Sequence, residues 1–497
     1  MSSIIRGPRK DRSNTARPAV STSKSAPKRR MTFSRDQEIA NLNTFEAALS
    51  ATERVLRLDG PADALLSAFF REQSKLGVRD RAVVAETVFC VLRRKSEFSQ
   101  NAQSGIGPMQ RRLALQGMAE CGHKAAADLL KRSATPEELE WLERIASIDR
   151  SALPVLVRTS FPQWIADRLA KRVGAARFET LANALNSSAP LDLRVNLLKA
   201  KRDDVLAEVQ RLAEESQMTA TETSYAPLGI RISGKPPLQR WPLFEDGTLE
   251  VQDEGSQLLA ELVAPKRGDM VADFCAGAGG KSLALGALMR STGRLYAMDI
   301  SEKRLAKFKP RMAKSGLSNV QTMVLDSERD SRLKRLVAKF DRVLVDAPCS
   351  GLGTLRRNPD LKWRQHEGGL AELNEKQGSI LASAARLVKP GGRLIYATCS
   401  LLREENEAVV DAFLTAHPTF TRVPVNEILA SRGIALTMPG DDLQMWPDEH
   451  GTDGFYAAVL VAAAEEKKPK MKDKPIETTV DDAIDGASDD VMENTAD

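Results

Sequence analysis

Cys349 and Cys399 each close an apolar, β-rich run and open a turn, in Asp346-Ala-Pro348-Cys349-Ser-Gly351-Leu-Gly353 and in Ala397-Thr398-Cys399-Ser400. A buried cysteine is most often an inert small hydrophobe. Beyond a strand end, helix N-termini and nearby bases lower a thiol's pKa, and the thiolate is a nucleophile. Upstream, Asp273-Phe-Cys275-Ala276-Gly277-Ala278-Gly279-Gly280-Lys281-Ser282 follows another such run and opens a helix, so its glycines let a ligand approach the backbone closely. It is an incomplete dinucleotide fingerprint, because Ser282 stands where the third glycine belongs. It also fails as a phosphate-binding loop of the Walker type, because Cys275 replaces the first glycine. Asp299, Asp326 and Asp346 end the next three apolar runs. One carboxylate at a strand end is usually a helix cap. Three at successive carboxyl edges, where open α/β sheets bind ligands, predict a nucleotide or nucleoside cleft.

These residues need a sheet to hold them. Apolar β-rich runs at 270–275, 294–299, 320–325, 341–346 and 393–398 alternate with helical segments, the signature of a parallel doubly wound α/β sheet, and 455–461 is expected to complete its edge. This domain is expected over 249–466. Ahead of it, 151–248 reads as a small α+β module, with strands at 191–197, 218–223 and 229–232 around a helix at 203–215. Residues 36–150 read as all-helical, with Val83, Val84, Thr87, Val88, Val91 and Leu92 at helical spacing and a helix start at Thr135-Pro136-Glu137-Glu138. No internal repeat is visible.

The chain has 497 residues, 42% of them apolar and 28% charged, with mean hydropathy −0.31, which excludes a wholly disordered chain. Its longest apolar run, Phe455 to Ala464, is far short of the roughly 20 residues that span a bilayer. The net charge of +5 is unevenly spread: residues 1–30 carry nine Lys and Arg against Asp11, and residues 476–497 carry eight carboxylates and no base. A disordered, polyanion-binding arm is expected over 1–35 and a disordered charged tail over 467–497. The arm is also Arg-rich and acid-poor like a transit peptide, but Pro8, Pro18 and Pro27 interrupt any amphipathic helix. Five scattered cysteines without a CxxC pair argue for a reducing compartment and against structural zinc.

Taken together, the residues over 155–464 resemble the Sun/RsmB/Nop family of RNA 5-methylcytosine methyltransferases. The resemblance is carried by Ser160-Phe-Pro-Gln-Trp164, Leu193-Arg194-Val-Asn196, Val251-Gln252-Asp253-Glu254-Gly255-Ser256-Gln257, the glycine loop, both cysteine motifs and Asp453-Gly454-Phe455. The helical front end resembles the NusB-like RNA-binding domain of the RsmB branch. The resemblance implies a Rossmann-like, S-adenosylmethionine-dependent domain in which Cys275, Ala276, Gly277, Ala278, Gly279, Gly280, Lys281, Asp299, Asp326 and Asp346 bind the cofactor. It implies that Cys399 is the nucleophile that adds to C6 of cytosine, because C5 by itself attacks a methyl donor poorly. Cys349 fits release of the C5 proton, and Asp346 the N3 side of the ring. The expected partner is RNA, ribosomal rather than transfer RNA, for a cytoplasmic, non-membrane monomer. One departure is visible: where many relatives have Ala-Pro-Gly-Gly-Lys-Thr, this chain has Gly277-Ala-Gly-Gly-Lys-Ser282, which loosens the turn but leaves Lys281 in register. Three alternatives remain. A nicotinamide dehydrogenase would not explain both cysteine motifs, and a noncatalytic RNA-binding assembly factor has no need of them. A DNA cytosine methyltransferase would attack with the Pro-Cys cysteine.

Overall fold

The computed structural model describes residues 35–464, so the basic arm up to residue 34, the charged tail and the readings placed on them lie outside the described residues. The described chain forms two units. The first comprises residues up to Arg57, Leu65–Val91 and Asn101–Ile148, and is helical. Val83, Val84, Thr87, Val88 and Val91 are all buried, as their spacing requires. Gly117 lets two of its helices approach closely, since a Cβ there would lie 2.6 Å from Val91 and 2.9 Å from the Thr87 carbonyl. The helix Pro136–Ala146 starts as expected, with Thr135 and Glu138 forming a reciprocal capping box ahead of Pro136.

The second unit holds two sheets. The smaller is antiparallel, in the order β2 (Ala220–Glu222), β3 (Gly229–Ile232), β1 (Leu191–Val195) and β4 (Leu249–Val251). Helix Arg202–Glu214 covers it through Val205 and Val209, against Leu193, Val195, Ile230 and Ile232. Leu249–Val251, which the sequence reading put at the head of the larger domain, is therefore the fourth strand of this sheet, paired to β1 from Leu193↔Val251 to Val195↔Leu249.

The larger sheet contains β5 (Met270–Asp273), β6 (Arg294–Asp299), β7 (Val320–Val324), β8 (Phe340–Asp346), β9 (Val388–Thr398), β10 (Phe420–Val423), β11 (Leu443–Met445) and β12 (Phe455–Ala462). Their order is β10-β12-β9-β8-β5-β6-β7, with β11 on β12. Strands β5 to β9 are parallel. After β5 the chain winds towards β7, and from β8 it winds the other way, so the topological switch lies between β5 and β8, where such sheets open a ligand crevice. The last strand does not form the edge. It runs antiparallel between β9 and β10, because Phe455 to Leu460 are buried on both faces, as an interior strand demands, and the less buried β10 takes the edge. Two apolar cores sandwich the sheet, one around Tyr296, Phe340 and Tyr396, the other around Leu258, Leu285 and Val459. Among the described residues, no helix is long and apolar enough to cross a membrane.

Candidate active site

The switch point opens into a cavity of about 610 Å³ whose wall includes the β5 loop, the ends of β6 and β8, and both Cys349 and Cys399. Two of the loop's glycines earn their places differently. Gly277 has φ of +57° and open space where a Cβ would be, so its backbone faces the cavity bare. Gly279 has φ of +80°, and a Cβ there would sit 2.0 Å from the Phe308 ring. Gly279 is thus a packing glycine that starts the helix Gly280–Leu288; unlike its neighbours from Cys275 to Lys281, it does not line the cavity.

The expected carboxylates separate. Asp299 is buried; it accepts from the Gly277 amide at 2.8 Å, from the Ser301 amide at 2.7 Å and from Arg304 at 2.9 Å, which fixes both oxygens at the cavity wall. Asp346 pairs with Lys281 at 2.7 Å. Burial alone would lower the Lys281 ammonium, but the charge and hydrogen bond of Asp346 outweigh it and hold the lysine above its ordinary value. Asp326 is not brought to the cavity: its side chain is 93% exposed and lies 3.8 Å from Arg332, and its neighbour Leu325 lines the wall instead. Cys275 also lines the cavity; burial, followed by the charges of Asp346, Asp273 and Asp299, pushes its thiol well up.

Opposite the glycine loop, the Sγ atoms of Cys349 and Cys399 lie 3.4 Å apart. They come from the loops after β8 and β9, parallel neighbours that deliver their carboxyl ends side by side. The Gly353 amide donates to the Cys399 carbonyl at 2.8 Å, and the Gly454 amide donates to the Gly353 carbonyl at 2.8 Å, lacing the two loops to the segment before β12. The Cys349 thiol is held well above its ordinary value, first by its hydrogen bond with Cys399, then by burial and the charges of Cys399 and Glu405.

Several cavity residues escaped the sequence reading. Asp273 is 1% exposed; burial pushes it up to about 7, Ser282 donates to one oxygen at 2.7 Å, and its Oδ1 has no partner. It heads the glycine segment, so its place there was the available signal. Glu328 pairs with Lys376 at 2.6 Å and is held down at about 2, chiefly by that hydrogen bond. Arg357 bridges Asp253 at 2.9 Å and Asp453 at 2.6 Å, joining two motifs that are 200 residues apart. Asp253 and Asp453 stand in motifs already quoted from the sequence, but nothing local marks Glu328, Lys376 or Arg357.

A family model described as 16S rRNA methyltransferase RsmB/F matches residues 260–461, and one described as an RsmF/B-like, ferredoxin-like domain matches residues 161–239. The chain is 35% identical over 317 residues to the probable ribosomal RNA small subunit methyltransferase B of Synechocystis sp., covering 64% of this chain and 70% of that protein. It is 30% identical over 445 residues to the ribosomal RNA small subunit methyltransferase B of Vibrio cholerae, covering 84% of this chain and 97% of that one. A solved structure of a methyltransferase homolog protein from Pyrococcus horikoshii is 27% identical, with a TM-score of 0.54, over 63% of this chain and all of the other.

Proposed function

This chain belongs to the RsmB/F family of 16S rRNA methyltransferases, and from that premise we propose that it makes 5-methylcytosine in ribosomal RNA through a covalent bond between Cys399 and C6 of the target base. The reaction class is methylation of RNA with S-adenosylmethionine. The observation that carries the finer reading is the 3.4 Å contact of two thiols over one cavity at the sheet's switch point.

The cavity suits the cofactor's chemistry. Its wall offers a fixed carboxylate, Asp299, for ribose hydroxyls, and apolar Ile300, Leu325 and Ile380 for a flat ring, with Asp326 one residue beyond Leu325 at that end. The loop Cys275–Lys281 and the unpartnered oxygen of Asp273 suit a cationic, amine-bearing end. S-Adenosylmethionine, when bound, supplies an electrophilic methyl group.

The protein's own part begins with Cys399. Its thiolate adds to C6, and the displaced π electrons make C5 nucleophilic. Asp346, beside Lys281, takes the N3 side of the ring and shares a proton with N3, which offsets the negative charge that builds there on addition. Once C5 carries the methyl group, the C5 proton must go to a base so that its bonding pair re-forms the double bond and expels Cys399 as thiolate. Cys349 is that base. Bonding of Cys399 to C6 removes the hydrogen bond that raises the Cys349 thiol most, so Cys349 gives its own proton to solvent and its thiolate takes the C5 proton. The balance is one methyl group gained by the RNA and one proton released.

The test is mapping of 5-methylcytosine in total RNA from cells with and without the protein. The expected result is loss of methylation at a cytosine of small-subunit ribosomal RNA. Loss in transfer RNA alone would redirect the substrate, and an unchanged map would favour a noncatalytic assembly role.

A further inference from the structure

We propose that Glu405 is a positioning residue for the thiol pair, setting the spacing of Cys349 and Cys399 by gripping the serine that follows each of them. The inference rests on the two-cysteine reading above. Glu405 is fully buried. It accepts from the Ser350 amide at 2.7 Å, from the Ser350 hydroxyl at 2.5 Å and from the Ser400 hydroxyl, and the two serine oxygens lie 3.3 Å apart. Gln377 donates to the same carboxylate at 3.1 Å and to the Pro348 carbonyl at 2.9 Å, fixing the residue just before Cys349.

The support continues on the Cys399 side. Tyr396 donates its hydroxyl to the Glu405 carbonyl at 2.7 Å. Asn406, the next residue, donates to the Ser400 carbonyl at 3.0 Å and accepts from the Thr398 hydroxyl at 2.5 Å, so both neighbours of Cys399 are tied to this short segment. Both loops thus hang from one side chain by their serines, one bond away from the reacting residues. A buried carboxylate held by these neutral donors is expensive compared with an apolar or amide side chain, so mere space filling does not account for it. What a carboxylate adds over an amide is a second acceptor oxygen, so that one oxygen takes the Ser350 amide and Gln377 and the other takes both serine hydroxyls. Glu405 does not line the cavity, so it acts through the cysteines rather than on substrate or cofactor.

The experiment uses the purified full-length protein and two readouts. In the first, diamide oxidises the thiol pair, the two thiol hydrogens passing to the diazene, and the intramolecular disulfide is followed by mass. In the second, kcat is separated from the RNA KM and the cofactor Kd. Glu405→Gln is expected to cross-link about fivefold more slowly and to lose about tenfold or more in kcat, with RNA KM and cofactor Kd within about twofold of the parent. Ser400→Ala, which removes one tie and leaves the carboxylate, is expected to fall between the two, and carries the test if Glu405→Gln does not fold. Parental cross-linking rates in both folded variants, with activity lost only in proportion to folded protein, would overturn the proposal. Failure of the underlying reading looks different: Cys349→Ala would then trap no RNA adduct, whatever the cross-linking rates.

Discussion

The two halves of the cleft are built in different ways. On the β5–β6 side the wall is largely backbone: bare Gly277, amides aimed at Asp299 and a turn whose shape two positive-φ glycines permit. On the β8–β9 side the wall is two side-chain thiols, held by a buried carboxylate, serines and amides contributed from residues far apart in sequence. A backbone cradle tolerates change in what surrounds it. A pair of thiols at 3.4 Å depends on every strut behind it.

That contrast is sharpest at glycines. A Cβ on Gly353 would lie 2.1 Å from the Gly454 carbonyl and 2.8 Å from the Cys399 carbonyl, both backbone atoms that cannot swing aside. Gly353→Ala should therefore cost about 100-fold or more in kcat by displacing Cys399, while cofactor binding, measured by calorimetry, changes far less. Equal losses in the two measurements would erase the distinction between the halves.

On the cofactor side the expected effects are smaller. Asp299→Ala removes a carboxylate fixed by two amides and an arginine, and should weaken S-adenosylmethionine binding by about 10- to 100-fold. Asp326→Ala, whose exposed side chain stands outside the wall, should cost less than Asp299→Ala in the same titration. The reverse ranking would mean that the adenine end, not the ribose, anchors the ligand.

The smallest effect is a pH dependence. Asp273 lines the cavity, burial pushes it up to about 7, and its Oδ1 has no hydrogen-bond partner. A cationic ligand favours the ionised form, so cofactor affinity should rise by about threefold as pH increases through neutrality, and Asp273→Asn should flatten that rise. An identical slope in parent and variant would remove Asp273 from the binding set.

The glycine-loop half of the cavity was legible in the sequence because its parts are local. The glycine loop and the strand-end Asp299 lie within a few residues of the turns they shape. Cys349 and Cys399 were also legible, since each sits at the end of an apolar run. Glu405 was not, because its partners Ser350 and Gln377 lie 55 and 28 residues away, and no periodicity links them. Strand order failed for a related reason. Strand β10 is four residues with little apolar alternation, too weak a signal to displace the long apolar run of β12 from the expected edge. The position of Asp326 depends on where its side chain turns after β7, which the strand pattern leaves open.

The central claim is the division of labour between the thiols, and one denaturing gel tests it directly. Parent, Cys349→Ala and Cys399→Ala are each incubated with S-adenosylmethionine and substrate RNA, then denatured so that only covalent complexes survive. If Cys399 adds to C6 and Cys349 removes the C5 proton, Cys349→Ala forms the adduct without resolving it and runs as a slow RNA-bound band, whereas Cys399→Ala shows none. A retarded band in Cys399→Ala and none in Cys349→Ala would contradict the account and make Cys349 the nucleophile.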